Sequence, residues 1–406
     1  MKKPKRAVRY GGAMIDDNEI NAVVNVMKTS MVVGEKVQSF ETRCAKVLGH
    51  KYGVMVNSGS SALLLAMHLL DLPKGSEVIT PTLTFGTDIS SITFAGYVPV
   101  LCDVVLDTYQ IDLDKIERMI SPKTKAMLIP NLIGGMPDWD RLREIADKHG
   151  LLLVEDSCDT LGSTYRGRPA GARADLSVTS FSIFHIITCL GNGGLVAFDS
   201  EKLWDRAVML RNWGRASEKY THGSQKRSGF IYQELDGIDY DGAFIFEEMA
   251  YGFIASEAGA AFGHAQLDKL EYFSELRRQR FDKYTAFMEK HEDVFIKARL
   301  NDGVKTTWIC YPVQLRPQLG WKRHHLQTHM NELGVHTRTI FTGNAARQPM
   351  MKGREFRIDP KGCPNADQIM EYGVMLPCFP SMTDEDMDYV FEAIEDFIEI
   401  QRSRNS

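Results

Sequence analysis

The chain has 406 residues, 44% hydrophobic and 25% charged, with a formal net charge of −5. This is the composition of a folded chain with enough apolar residues for a large core, and so mild a charge asks for neither nucleic acid nor an anionic membrane as partner. No apolar run reaches the roughly 18 residues of a membrane span, no apolar stretch of the secretory type follows the basic start Met1-Lys-Lys-Pro-Lys-Arg6, and the seven cysteines form no CxxC pair, so the expectation is a cytoplasmic protein with reduced thiols and no metal site.

After the basic arm, read as solvated, residues 16–28 show helical periodicity through Ile20, Val23, Val24, Val26 and Met27, and a second helix is predicted over 39–48. From there to about residue 200, short apolar runs alternate with amphipathic stretches. The runs 53–56, 78–80, 98–102, 126–130, 151–154, 176–181 and 195–198 are predicted strands, with helices over 61–70, 112–119 and 138–149 among them. Near-continuous apolar strands separated by helices predict an α/β fold, with a mostly parallel seven-stranded sheet covered on both faces. Ligands of such sheets gather at the carboxyl ends of the strands. Beyond residue 200, 203–213 is helical, 215–249 is polar and without periodicity, and a long helical pattern runs from 256 to 288. A smaller α+β unit follows, with strands near 307–315 and 336–341 and helices over 322–333 and 384–400. The expected division is a large domain over 1–255, including the N-terminal arm, and a small C-terminal domain over 256–406.

Several strand ends carry residues suited to chemistry. Asn57-Ser58-Gly59-Ser60-Ser61-Ala62 lies between a strand and an apolar helix. Gly59 permits a tight turn, and the free N–H groups of a helix start, with the hydroxyls of Ser60 and Ser61, suit an anion. The run lacks the Gly-Lys-Thr/Ser ending of a Walker loop. Asp156, in Val154-Glu155-Asp156, follows the buried run 151–154, where a carboxylate can keep a heteroaromatic nitrogen protonated and make the ring an electron sink. Phe85, in Pro81-Thr-Leu-Thr-Phe85, can stack on a planar ring. Ser180 can donate to the same anion, and His185 stands five residues on, among Ile183, Phe184, Ile186 and Ile187. Singly, each has an ordinary reading: a helix cap, a loop acid, a core aromatic, a structural histidine. Jointly, on successive strand ends, they outline a site for a phosphorylated cofactor.

This combination resembles the DegT/DnrJ/EryC1/StrS family of fold-type I pyridoxal-phosphate enzymes, over nearly the whole chain. The resemblance implies the fold-type I architecture, a homodimer, and pyridoxal or pyridoxamine phosphate as cofactor. Gly59, Ser60 and Ser61 match the phosphate-binding turn, Asp156 the partner of the pyridine nitrogen, Phe85 the ring-stacking position, and Ser180 the start of the motif Ser-Phe-x-x-x-Lys. At the lysine of that motif, which forms the internal Schiff base, this chain has His185, and no lysine occurs between Lys148 and Lys202. Histidine there resembles the subgroup of nucleotide-sugar 3-dehydratases acting on 4-keto-6-deoxyhexoses. Thr337-Arg338, Phe341-Thr-Gly-Asn344 and Arg347-Gln-Pro349 resemble the C-terminal pattern of that subgroup, which makes Arg338, Asn344 and Arg347 the expected substrate contacts.

The implied reaction is loss of the C3 hydroxyl from a nucleotide-linked sugar. With no lysine competing for the cofactor aldehyde, pyridoxamine phosphate can stay joined to the sugar while an imidazole takes the proton from the cofactor's methylene carbon. Two continuations stay open: hydrolysis to a 3-deoxy ketone with glutamate restoring the amine, or electron delivery by a reductase partner. Relatives of the second kind carry an iron–sulfur cluster on several thiolates. The corresponding segment here, Asn212-Trp-Gly-Arg-Ala-Ser-Glu-Lys-Tyr220, has no cysteine, so no iron–sulfur cluster is expected. Two departures stand near the site. The turn Thr188-Cys-Leu-Gly-Asn-Gly-Gly194 is one residue longer than the family form, and Gly252 replaces the asparagine that reaches the phosphate of the partner subunit. Other readings of the same residues are a different nucleotide-sugar modification, aminotransferase-like or deaminating, and a degenerate cofactor-binding paralogue.

Overall fold

The computed structural model describes residues 6–227 and 232–405. The basic start at residues 1–5 and positions 228–231 of the unpatterned stretch lie outside the described residues.

Capping decides where the first helices begin. α1 (Asp17–Thr29) opens with a capping box in which Asp16 accepts the Asn18 N–H and Glu19 reaches back to the Asp16 N–H. α2 (Glu35–Leu48) begins four residues before the predicted position 39, because its cap comes from far along the chain. The Glu257 carboxylate accepts the N–H groups of Gly34, Lys36 and Val37 at 2.9, 2.7 and 3.1 Å.

The first half then runs β1 (Tyr52–Val56), α3 (Gly59–Leu69), β2 (Glu77–Pro81), α4 (Gly86–Phe94), β3 (Val98–Cys102), α5 (Leu113–Met119), β4 (Thr124–Pro130), α6 (Trp139–His149), β5 (Leu152–Asp156), β6 (Leu176–Ser180), β7 (Gly194–Phe198) and α7 (Glu201–Arg211). The second half contains α8 (Glu257–Asp268), α9 (Leu270–Glu289), β8 (Phe295–Lys297), β9 (Cys310–Leu315), β10 (Arg338–Thr339), β11 (Arg357–Ile358) and β12 (Gly373–Pro377). α4 is unexpected from the sequence, since its β-branched Thr87, Ile89, Ile92 and Thr93 disfavour helix and only packing against α3 and β3 recovers it.

The large sheet has the order β1-β7-β6-β5-β4-β2-β3-β11, eight strands where seven are predicted. β11 supplies the eighth. It is two residues long, carries no apolar run, and pairs in parallel with the edge strand β3. β7 runs antiparallel to both neighbours, and the remaining pairings are parallel. A second, antiparallel sheet has the order β8-β9-β12-β10. β12 has no counterpart in the predicted elements although it is buried throughout.

Two predictions for the middle of the chain are corrected. The stretch 215–249 is not featureless: it holds a helical turn Glu218–Thr221 and an exposed hairpin, Tyr232–Leu235 with Ile238–Asp241. Its strands bury no face, so no apolar alternation marks them. The helical pattern 256–288 is two helices, broken at Lys269, whose ammonium holds Asp16 and Glu19 at the start of α1.

One buried ion pair fixes the exit of β1. Arg211 Nη1 lies 2.6 Å from Glu41 Oε1 and donates to the Met55 carbonyl at 3.2 Å, while Glu41 accepts the Met55 N–H at 2.8 Å. Burial pushes the Glu41 carboxyl up, and the Arg211 charge pulls it back. Replacing one partner leaves the other charge buried and alone. Arg211→Met should therefore destabilise the fold by about 3–5 kcal/mol, read as a lowered midpoint in denaturant unfolding followed by circular dichroism; an unchanged midpoint contradicts this role.

Candidate active site

The chain leaves β1 at Val56 and turns into α3 through Asn57 and Ser58. Ser58 caps the helix, its Oγ accepting the Ser61 N–H at 3.1 Å and contacting the Ser61 hydroxyl at 3.0 Å. The N–H groups of Gly59 and Ser60, in the first turn, have no acceptor within the helix, and both residues line a cavity of about 690 Å³. A volume of that size suits a small ligand. Close approach requires glycine on both sides of the turn. A Cβ on Gly59 would lie 2.6 Å from the Ser180 Cβ, and one on Gly194 would lie 2.3 Å from the Ser58 carbonyl oxygen.

Of the residues expected from sequence, Gly59, Ser60, Phe85, Asp156, Ser180, His185 and Arg338 line this one cavity. The other three are placed elsewhere. Ser61 is engaged in the helix cap. Asn344 donates to Asp367 Oδ1 at 2.7 Å, and Arg347 holds the same carboxylate at 2.5 and 2.7 Å, outside the lining.

The loop after β6 folds on its own hydrogen bonds. Thr188 Oγ1 donates to the Phe181 carbonyl at 2.8 Å, and the Cys189 N–H donates to the same oxygen at 3.2 Å. In the turn 188–194, Leu190 takes φ +59° and is exposed, with Gly191 beside it at +93°. The turn thus bulges outward at Leu190, and His185 stays in the cavity wall. Behind the loop, the buried Arg277 of α9 donates to the carbonyls of Trp308, Cys378 and His185 at 3.0, 2.9 and 3.2 Å. Burial lowers the Arg277 pKa to about 10, which leaves it cationic at neutral pH.

His185 Nδ1 lies 3.5 Å from Asp159 Oδ1, long for a hydrogen bond, and has no other partner. Asp159 in turn accepts the Ile133 N–H at 2.8 Å. Ile133 is held at φ +67°, a conformation costing a β-branched residue on the order of 1–3 kcal/mol, so the surrounding turn constrains Asp159 at the expense of backbone strain. At the floor, Asp156 accepts the Cys158 N–H at 2.9 Å and contacts Asp88, and burial pushes both carboxyls up.

The opposite wall comes from the C-terminal half. Thr342 Oγ1 donates to the Thr84 carbonyl at 2.7 Å, and Phe341 meets Phe85 edge-on with centroids 6.0 Å apart. The N-terminal arm contributes too. Val8 bridges Val335, and Tyr10 lines the cavity with the Arg338 guanidinium 5.3 Å from its ring. Asp159, Asp88, Tyr10 and Arg277 belong to none of the motifs expected from sequence. Asp159 sits in the same acidic run as Asp156 and was the most accessible of the four; the others depend on tertiary contacts.

No lysine lines the cavity among the described residues. Among those residues, no group of three His, Cys, Asp or Glu side chains is placed to hold a metal ion, and no helix is long and apolar enough to cross a membrane. A side chain at Gly252 would begin 2.7 Å from Trp213 Nε1, so the indole occupies the space an asparagine would need. The whole set fits a phosphorylated, planar heterocycle: an anion cradle at the α3 start, an exposed aromatic and a buried carboxylate in one cavity.

The family model for the DegT/DnrJ/EryC1/StrS aminotransferase family matches residues 13–395. The dTDP-4-dehydro-2,6-dideoxy-D-glucose 3-dehydratase of Saccharopolyspora spinosa is 30% identical over 403 residues, covering 96% of this chain and 86% of that protein. The dTDP-4-dehydro-2,3,6-trideoxy-D-glucose 4-aminotransferase of the same organism is 28% identical, covering 97% of each. Among solved structures, a variant of GDP-4-keto-6-deoxymannose-3-dehydratase with bound GDP-perosamine matches with a TM-score of 0.85 at 25% identity, covering 97% of this chain and 100% of that one. The architecture is therefore that of the fold-type I pyridoxal-phosphate enzymes, and the similar proteins include dehydratases and aminotransferases alike. By a match that spans almost its whole length, the chain belongs to the DegT/DnrJ/EryC1/StrS aminotransferase family.

Proposed function

We propose that this protein removes the C3 hydroxyl of a nucleotide-linked 4-keto-6-deoxyhexose, with pyridoxamine phosphate as cofactor and His185 as the base. The observation that carries the proposal is the composition of the cavity wall. His185 stands in the loop after Ser180, and no lysine lines the cavity among the described residues. A lysine there would compete for the cofactor aldehyde and favour transfer of the amine; an imidazole can only move a proton. Relatives named as 3-dehydratases support the same reading.

When bound, pyridoxamine phosphate supplies an amine for the C4 ketone and a ring into which electrons can spread. The chain supplies the rest. The Gly59 and Ser60 N–H groups and the Ser180 hydroxyl would hold the phosphate, helped by the field at the α3 start. Phe85 would stack on the ring, and Asp156 would keep the ring nitrogen protonated. Because Nδ1 of His185 faces Asp159, Nε2 would be the nitrogen that accepts the proton, as the base of the proposed reaction. The resulting imidazolium can return that proton to the departing C3 hydroxyl, which leaves as water. Asp159 stabilises the charged ring while it exists. Arg338, beside Tyr10, would face the sugar or its nucleotide, and glutamate would serve as the amine donor. A homodimer belongs to the same proposal, and the exposed Phe244, Phe246 and Met249 are apolar surface for it to cover.

Two variants test the proton transfer. With pyridoxamine phosphate and a GDP- or dTDP-linked 4-keto-6-deoxyhexose, His185→Ala should lose about 100-fold or more of the dehydration rate, followed by mass spectrometry of the sugar nucleotide, while still binding cofactor. Turnover at the wild-type rate rules out His185 as base. Asp159→Asn should lower kcat by about tenfold or more with KM little changed; a raised KM at constant kcat would instead make Asp159 a substrate-binding group.

A further inference from the structure

Two carboxyl groups meet at the floor of the cavity. Asp88, in the first turn of α4, is fully buried, and Asp156 nearly so. Both line the same cavity and act on each other as hydrogen-bonding neighbours, yet two carboxylates offer each other only acceptors. The contact needs a proton, and the neighbours of each group say where it resides. Asp156 has partners suited to an ion: the Cys158 N–H at 2.9 Å and the Cys158 thiol. Asp88 receives only the Thr84 hydroxyl on Oδ2, and its Oδ1 is buried with no donor in reach.

The electrostatic setting agrees. Burial, then the charge of Asp156, pushes Asp88 well above its ordinary value, and Asp159 acts in the same direction. The N-terminus of α4 favours the ionised form, but that field is weaker than the repulsion between two buried carboxylates in contact. A second negative charge would also work against a ligand that is itself a phosphate.

We propose that Asp88 is a positioning residue: as a neutral acid it donates a hydrogen bond to Asp156, holding that carboxylate singly charged and oriented to receive a ring N–H. The pair thereby presents one negative charge to one pyridinium. The effect on the cofactor rests on the reading of Asp156 given above; the proton on Asp88 does not.

The experiment has two readouts. In cofactor-free protein at neutral pH, infrared difference spectra of wild type against Asp88→Asn should show the carbonyl stretch of a protonated carboxylic acid, shifted in D2O and missing from the variant. Absence of that band in the wild type overturns the proposal. In the second, binding of pyridoxal and pyridoxamine phosphate is followed by absorbance and fluorescence. Asp88→Asn keeps a neutral donor and should hold Kd within about threefold, whereas Asp88→Ala should weaken binding by about tenfold or more. Equal weakening in both variants also overturns the donor role. If even the wild type binds neither form, the cofactor reading of the pocket fails, while the infrared result still decides the proton on Asp88.

Discussion

How near the start of α3 can come to the end of β6 governs the cavity. Gly59 sits where any side chain would strike Ser180, and Gly194 where one would strike the Ser58 carbonyl. That approach exists because β7 runs antiparallel between β1 and β6, which sets the turn after β1 directly against the residues that precede β7. An anion cradle and the loop bearing His185 thus share one wall. β5, next in the sheet, brings Asp156 to the same edge. The buried Glu41–Arg211 pair anchors β1 one residue before its last, so the cradle is held from below as well as from the side.

The cavity lining supplies both donors for an anion and carboxyl groups for a cation. The lining includes the first-turn residues of α3, Gly59 and Ser60, and the three carboxyl groups of Asp88, Asp156 and Asp159. A ligand with a phosphate and a basic ring nitrogen finds a partner of opposite charge for each. His185 stands beside Asp159, on a loop whose backbone is held by the buried Arg277. Arg277 directs its donors to carbonyl oxygens, so it fixes the loop without occupying the carboxylate that faces the imidazole. Strain at Ile133 and the outward bulge at Leu190 are both ways of keeping this geometry with the residues available.

Much of this was legible in the sequence because strand ends and apolar runs leave local marks. All seven predicted strands of the large sheet exist, and Gly59, Ser60, Phe85, Asp156, Ser180 and His185 converge as their placement on strand ends suggested. What escaped has no local mark. β11 joins the sheet with two residues, and the cap on α2 arrives from Glu257. Asp88 lies on a helix that β-branched residues conceal, and its meaning comes from Asp156, distant in sequence. Asn344 and Arg347 match a pattern by spacing, but both turn to Asp367 instead of the cavity.

In the proposed function, histidine where the family has lysine turns an amine transfer into the loss of a hydroxyl. This is tested most directly by a single turnover of protein loaded with pyridoxamine phosphate and a 4-keto-6-deoxyhexose nucleotide, with the sugar product weighed by mass spectrometry. The expected sugar is lighter than the substrate by one oxygen atom, a 3-deoxy ketone without nitrogen, with the amine released as ammonia and the cofactor left as the aldehyde. A sugar that keeps its C3 hydroxyl and gains an amine at C4 would contradict the proposed function.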